Sequence, residues 1–295
     1  TLKLRIRGGD KTSRLDRFNV WVNESPLFGM KGIALQKKRA KSIDTTIVVA
    51  LSPGKNIIET SVTNTTGTES YRMPLTVMYR PAVAPKQKLY FIGIGIDKFR
   101  QKGHDLNYSV KDIRDLVSKL KEKYQNNIVI DTLFDKNVTR ATVAALKKKL
   151  LATTVNDKVV LAYSGHGLLS KTFDYYLSTY DLDFGQPEKE GLAYDALEAL
   201  LDRIPARQKL VLIDACHSGE VDKEEAARYR VVLNENSTRG LRGAGVENVD
   251  TTAKTGLKNS FDLMQELFVN VGRSTGATVI SAAGGMQLAQ EGGGR

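Results

Sequence analysis

The chain opens on strict alternation. Leu2, Leu4 and Ile6 are separated by Lys3, Arg5 and Arg7, and Phe18, Val20 and Val22 by Asn19, Trp21 and Asn23. A period of two predicts half-buried strands. Further strands are predicted at Thr45–Leu51, Ile57–Val62 and Tyr71–Tyr79, interrupted by turns at Ser52-Pro53-Gly54-Lys55 and at Asn64 to Gly67. Short strands joined by polar turns predict a small all-β sandwich over residues 1–83. Pro81 and Pro85 stop any strand from continuing and place a stiff linker at 84–88. From Leu89 the grammar changes. Apolar runs at Leu89–Ile96, Ile128–Phe134, Val159–Tyr163, Tyr175–Tyr180, Lys209–Asp214 and Ala277–Ala282 read as strands. Between them, helical spacing appears at Val110–Tyr124, Thr139–Leu151, Tyr194–Ile204 and Asn259–Val271. Such alternation predicts an α/β unit over 89–295, a mostly parallel sheet covered by helices on both faces. Its ligand site should lie beyond the carboxyl ends of the strands. Residues 220–258 break the pattern and read as a long polar loop.

Two of those strand ends carry reactive side chains. One run ends in Tyr163-Ser164-Gly165-His166-Gly167, another in Asp214-Ala215-Cys216-His217-Ser218-Gly219. Cys216 is the only cysteine. A lone cysteine after an apolar strand is commonly a buried hydrophobe. The histidine on a second strand end changes that reading, because a thiolate needs a base held nearby. Residues two apart on a strand share a face, so Ser164 goes with His166 and Asp214 with Cys216. One cleft would then receive a thiol, an imidazole, a carboxylate and a hydroxyl. His166 is the expected general base and later the acid for the leaving amine. Gly165 and Gly167 are read as letting backbone approach the substrate. The amides of Gly167 and Cys216 are candidates for an oxyanion hole, where one donor is typically worth ~2.7–4 kcal/mol. Asp214 has a structural alternative as a hydrogen-bond acceptor. His217 should point away from Cys216, and His104 reads as a surface residue in a loop. A phosphatase loop would need Arg six residues after the cysteine, and position 222 is Asp.

The two motifs, their spacing and the surrounding alternation resemble the caspase-like cysteine peptidases, and the metacaspase and orthocaspase branch most closely. The likeness runs from about Lys88 to the C-terminus; the N-terminal strands resemble an immunoglobulin-like module. The resemblance implies an endopeptidase with a Cys216–His166 dyad and no cofactor needed for the chemistry. It also implies an S1 pocket for a P1 Arg or Lys, built from Asp214 and Ser164. Ser109 and Asp112, within Leu106-Asn107-Tyr108-Ser109-Val110-Lys111-Asp112, join that pocket by the same likeness, with helix start and cap as their structural alternative. Carboxylates gathered in a cleft agree with it, because a guanidinium takes paired hydrogen bonds from them. The resemblance further suggests calcium near the pocket. Asp181, Asp183 and Asp222 are its candidates, and solvated loop carboxylates are the alternative. Self-processing in the 220–258 loop is implied too, after Arg239 or Arg242. The family continues past the last strand with another helix and strand, so a small-subunit continuation is expected as a separate chain.

Composition narrows this picture. The formal charge is +11, and residues 1–85 hold 14 basic and 6 acidic side chains. Lys37-Lys38-Arg39 with Lys41 is the densest run. A solvated surface is the ordinary meaning of such a run, and nucleic-acid binding the alternative. No apolar stretch approaches the ~20 residues needed to span a bilayer, so no membrane partner is expected. The chain begins with Thr1, so the natural N-terminus is expected upstream. One cysteine precludes an intrachain disulfide and suits a reducing compartment, with cytoplasmic location the expectation. Three readings stand: an Arg/Lys-specific cysteine endopeptidase acting on protein substrates, a catalytically silent caspase-like interaction module, and a nucleic-acid-associated protein.

Overall fold

The computed structural model describes residues 1–29, 31–170, 172, 174–217 and 271–281, with 216 and 217 described by their backbone. The chain begins with β1 (Leu2–Gly9), β2 (Leu15–Val22), β3 (Ser25–Pro26), β4 (Ile33–Ala34), β5 (Ser42–Val49), β6 (Gly54–Asn64) and β7 (Met73–Tyr79). β1 and β5 make one antiparallel sheet. The order β3-β2-β6-β7, with β4 also against β2, makes a second. Ile6, Ile43 and Val49 from the first sheet share one apolar cluster with Phe18, Val20, Ile58 and Val62 from the second. The charged positions of β1 face outward, where Arg5 and Arg7 both bond to Asp44. Trp21 departs from the alternation: it is buried, with the Arg72 guanidinium 3.7 Å from its ring centroid.

The second half contains β8 (Leu89–Gly95), α1 (Ser109–Tyr124), β9 (Ile128–Phe134), α2 (Arg140–Ala145), α3 (Lys147–Leu150) and β10 (Lys158–Leu169). It continues through β11 (Tyr175–Leu177), β12 (Leu192–Ala193), α4 (Tyr194–Leu201), β13 (Gln208–His217), helical residues 271–275 and β14 (Ala277–Ser281). β9, β8, β10, β13 and β14 are parallel in that order. One face packs Phe91, Ala162 and Leu212 against Ile113, Leu116 and Leu120 of α1. The other packs Ile94, Leu161 and Ile213 against Val143, Leu150 and Leu197 of α2, α3 and α4. The helix expected over Thr139–Leu151 is broken near Leu146, while Thr139 caps it through a reciprocal pair with Thr142. Among the described residues no helix is long and apolar enough to cross a membrane. Residues 220–258 lie outside the described residues.

The sheet is mixed: five strands are parallel, and two antiparallel strands extend it at one edge. β11 runs antiparallel to the end of β10, and β12 antiparallel to β11. The reason is length. β10 outruns β8 and its last residues take β11 as a new partner, because strand backbone left without partners is costly.

The two halves meet at the start of β13. Lys209 Nζ donates to the Ser25 hydroxyl at 3.0 Å and to the Thr275 carbonyl at 2.6 Å, and Arg207 donates to the Ala50 carbonyl. Gly276, at φ +72°, fits against Ser25, where a Cβ would come within 2.5 Å of Oγ. Burial pulls the Lys209 ammonium down to about 8, with Asp202 opposing the shift. Its folded pKa therefore lies below the unfolded value. Between about pH 8 and 10.4 the folded chain binds fewer protons, so stability rises with pH across that window. Lys209→Met removes this rise. In parallel urea titrations the wild type should gain about 2 kcal/mol on the variant from pH 8 to 10.

Candidate active site

The site is organised by register. β10 and β13 run side by side through ten residue pairs, from Lys158–Gln208 to Gly167–His217. Ser164 stands opposite Asp214, and His166 opposite Cys216. Ser164 also stands opposite Gly95 of β8. The Ser164 hydroxyl lies 3.5 Å from Asp214 Oδ2. Ser164 and Asp214 continue the alternation that puts Ala162 and Leu212 on the α1 face. The first turn of α1 reaches this row because β8 offers glycine there. A Cβ on Gly95 would lie 2.8 Å from the Ser109 carbonyl and 3.0 Å from Val110 Cα.

That close approach sets the electrostatics. Ser109 is buried under the helix start, and Asp97 at the end of β8 accepts the Val110 amide at 3.3 Å. Asp112, in the first turn, has its carboxyl raised above the ordinary range. Partial burial is the main cause and the charge of Asp214 the next. The two carboxylates are therefore close enough to repel. Of the four residues assigned to the pocket, Ser164 touches Asp214, Asp112 senses its charge, and Ser109 underlies the helix start.

His166 sits where β10 changes partner. The Ser164 carbonyl accepts from Ile96 on the β8 side at 3.1 Å, and the His166 carbonyl accepts from Ser178 after β11 at 2.9 Å. Beneath this switch, the buried Tyr163 hydroxyl lies 3.1 Å from the His166 carbonyl and 2.7 Å from the Ser178 hydroxyl. The Ser178 hydroxyl in turn accepts the His166 amide at 3.2 Å. A Cβ on Gly165 would lie 2.7 Å from the Tyr163 hydroxyl. Gly165 thus makes room for packing under the site, not for the close substrate approach first inferred. Gly167 stands between His217 on one strand and Leu177 on the other.

The imidazole has a defined orientation. His166 Nε2 is 2.8 Å from the carbonyl of His104. A carbonyl only accepts, so Nε2 carries the proton and Nδ1 is the basic nitrogen. Phe99 packs on the ring at 5.3 Å and Phe184 meets it edge-on at 5.5 Å. His104 is no simple surface residue: it is half-buried, and its ring stacks on Phe184 at 3.7 Å and 7°. The sequence carried no signal for this contact. A histidine in a polar loop shows no periodicity, and the group it contributes to His166 is backbone.

Two of the three calcium candidates, Asp181 and Asp183, lie among the described residues, and each faces a cation. Asp181 pairs with Arg100 at 2.7 Å, and Asp183 lies 3.9 Å from Lys189. Among the described residues no cluster of His, Cys, Asp and Glu is suited to a metal ion. Asp222, Arg239 and Arg242 lie outside the described residues.

A profile of the family described as Caspase domain, Peptidase_C14, matches residues 91–283, more than half of the chain. A search of curated proteins finds no match. Among solved structures, a protein from Geobacter sulfurreducens is similar at 25% identity and a TM-score of 0.38, over 54% of this chain and 69% of that one. The structure of pro-sf-caspase-1 is similar at 14% identity and a TM-score of 0.33, over 60% of this chain and 62% of that one. These overlaps are too partial to carry a functional argument.

The packing beneath His166 is testable without any substrate. Gly165→Ala must displace the buried Tyr163 hydroxyl or the strand. The expected loss is about 1–3 kcal/mol of unfolding free energy in urea, and a stability equal to wild type would refute this account of Gly165.

Proposed function

The chain belongs to the caspase-domain family, and from that premise we propose that it is a cysteine endopeptidase cleaving protein substrates after Arg or Lys. The family match supports the cysteine-peptidase class. The observation that carries the finer reading is one pair of strands with His166 opposite Cys216 and, two residues earlier, Ser164 opposite Asp214.

In this mechanism the Cys216 thiol gives its proton to Nδ1 of His166, while Nε2–H stays on the His104 carbonyl. The thiolate attacks the scissile carbonyl carbon. The oxyanion formed takes hydrogen bonds from the amides of Gly167 and Cys216. Collapse of the tetrahedral intermediate breaks the C–N bond, and the proton on Nδ1 passes to the leaving amine. A water then loses a proton to Nδ1, attacks the thioester, and releases the acid and the free thiol. Asp214, oriented by Ser164 and joined by Asp112, receives the P1 guanidinium or ammonium. A P1 Asp would add a third negative charge. Self-cleavage after Arg239 or Arg242 follows from the same preference. The N-terminal strands act as an immunoglobulin-like targeting or assembly module.

A library of peptides scanned at P1 tests the reading. Wild type should turn over Arg and Lys peptides, and Cys216→Ala none. Asp214→Ala should lose about 10- to 100-fold in kcat/KM for P1 Arg, the scale of a charge-assisted hydrogen bond. As pH falls, Asp112 protonates earlier than an ordinary carboxylate, so KM for P1 Arg should climb, and Asp112→Asn should flatten that climb. A preference for P1 Asp would overturn the specificity. Failure of a thiol-reactive P1-Arg probe to label Cys216 would favour a silent interaction module.

A further inference from the structure

We propose that Phe184 and the imidazole of His104 are positioning residues, which hold the His104 carbonyl on Nε2 of His166 and so fix the tautomer of the base. This rests on the dyad reading above. The carbonyl belongs to the loop between β8 and α1, and two sets of contacts hold that loop. Its base is closed on itself: Leu106 donates to the Asp97 carbonyl at 2.8 Å, Phe99 to the Asp105 carboxylate at 3.2 Å, and Lys98 pairs with Asp105. The tip turns at Gly103, with φ +93°. Its anchors run to residues 180–184. The Arg100 amide donates to the Tyr180 carbonyl at 3.0 Å and its guanidinium pairs with Asp181 at 2.7 Å. The Phe184 amide donates to Gln101 Oε1 at 3.1 Å, and the His104 ring lies flat on Phe184.

Phe184 is the common member of this arrangement. Its ring stacks on His104, meets Phe99 edge-on at 5.3 Å and meets His166 edge-on at 5.5 Å. One side chain therefore touches both the residue that orients the base and the base itself. Removing it frees the loop tip at the residue whose carbonyl bonds Nε2. A displacement near 1 Å is enough to break that bond, and misplacement on this scale lowers turnover by up to about a hundredfold. Substrate binding through Asp214 would be untouched.

The chain has three histidines, so labelling them with ¹⁵N allows the tautomer to be read directly by NMR. In wild type, His166 should show a protonated Nε2 and an unprotonated Nδ1. In Phe184→Ala and in His104→Ala, which keeps the carbonyl, these shifts should average between tautomers. kcat should fall between about tenfold and a hundredfold with KM within about twofold, and Phe184→Tyr should restore both readouts. The double variant should be no worse than either single one, because both act through one contact. Should Phe184→Ala fail to fold, His104→Ala decides the matter. An unchanged tautomer with kcat near wild type, or losses that multiply in the double variant, would overturn the proposal. A wild type with the fixed tautomer but no turnover of Arg or Lys peptides would instead count against the peptidase reading alone.

Discussion

The site depends on the register between β10 and β13. A slip of one residue would turn Ser164 and His166 to the face opposite Asp214 and Cys216. Packing on both sides of the sheet opposes such a slip. Leu161, Tyr163, Val211, Ile213 and Ala215 fill one core, while Ala162 and Leu212 meet the α1 cluster on the other face. Polar contacts fix the start of β13 as well, through Lys209 on Ser25 and Thr275. The strand that carries Cys216 therefore begins in contact with the N-terminal half, at Ser25 of β3. The N-terminal sheets are part of what holds the strand in place.

Strand length then shapes the cleft. β8 stops opposite Ser164, while β10 goes on to Leu169. Where β8 is left behind, its following loop rises to place a carbonyl on His166, and β11 takes up the edge beyond. α1 enters the same gap because Gly95 leaves room for its first turn. The imidazole therefore sits among three segments: its own strand, the loop after β8, and the segment after β11.

Much of this was legible in the sequence, and the physics separates what was from what was not. The α/β alternation showed because periods of two and 3.6 are local patterns that burial on one face imposes. The strand ends at Tyr163 and Asp214 were read too short. Glycine-rich stretches look like loops, yet Ser164 to Gly167 stays extended because paired backbone lies on both sides. Trp21 was read as outward, and the arginine that covers it is distant in sequence. The mixed edge followed from the relative lengths of β8 and β10, which no single segment reveals. His104, Phe99 and Phe184 gave no pattern, because they meet from two loops far apart in sequence and the decisive group is a main-chain oxygen.

Charge at the cleft is the physical basis of the proposed preference for a cation. Asp97, Asp112 and Asp214 gather near the first turn of α1, where the positive end of the helix dipole tolerates anions. That tolerance is incomplete, as the raised Asp112 carboxyl shows. Like charges held near one another by the fold repel, and in the proposed function a guanidinium would relieve that repulsion. Of these, Asp214 lies with Ser164 one strand period before His166 and Cys216, on the same two strands. In the proposed function, changes at Ser164 or Asp214 would therefore alter which side chain is accepted while leaving His166 and Cys216 opposed. Changes that move the strands would disturb both at once.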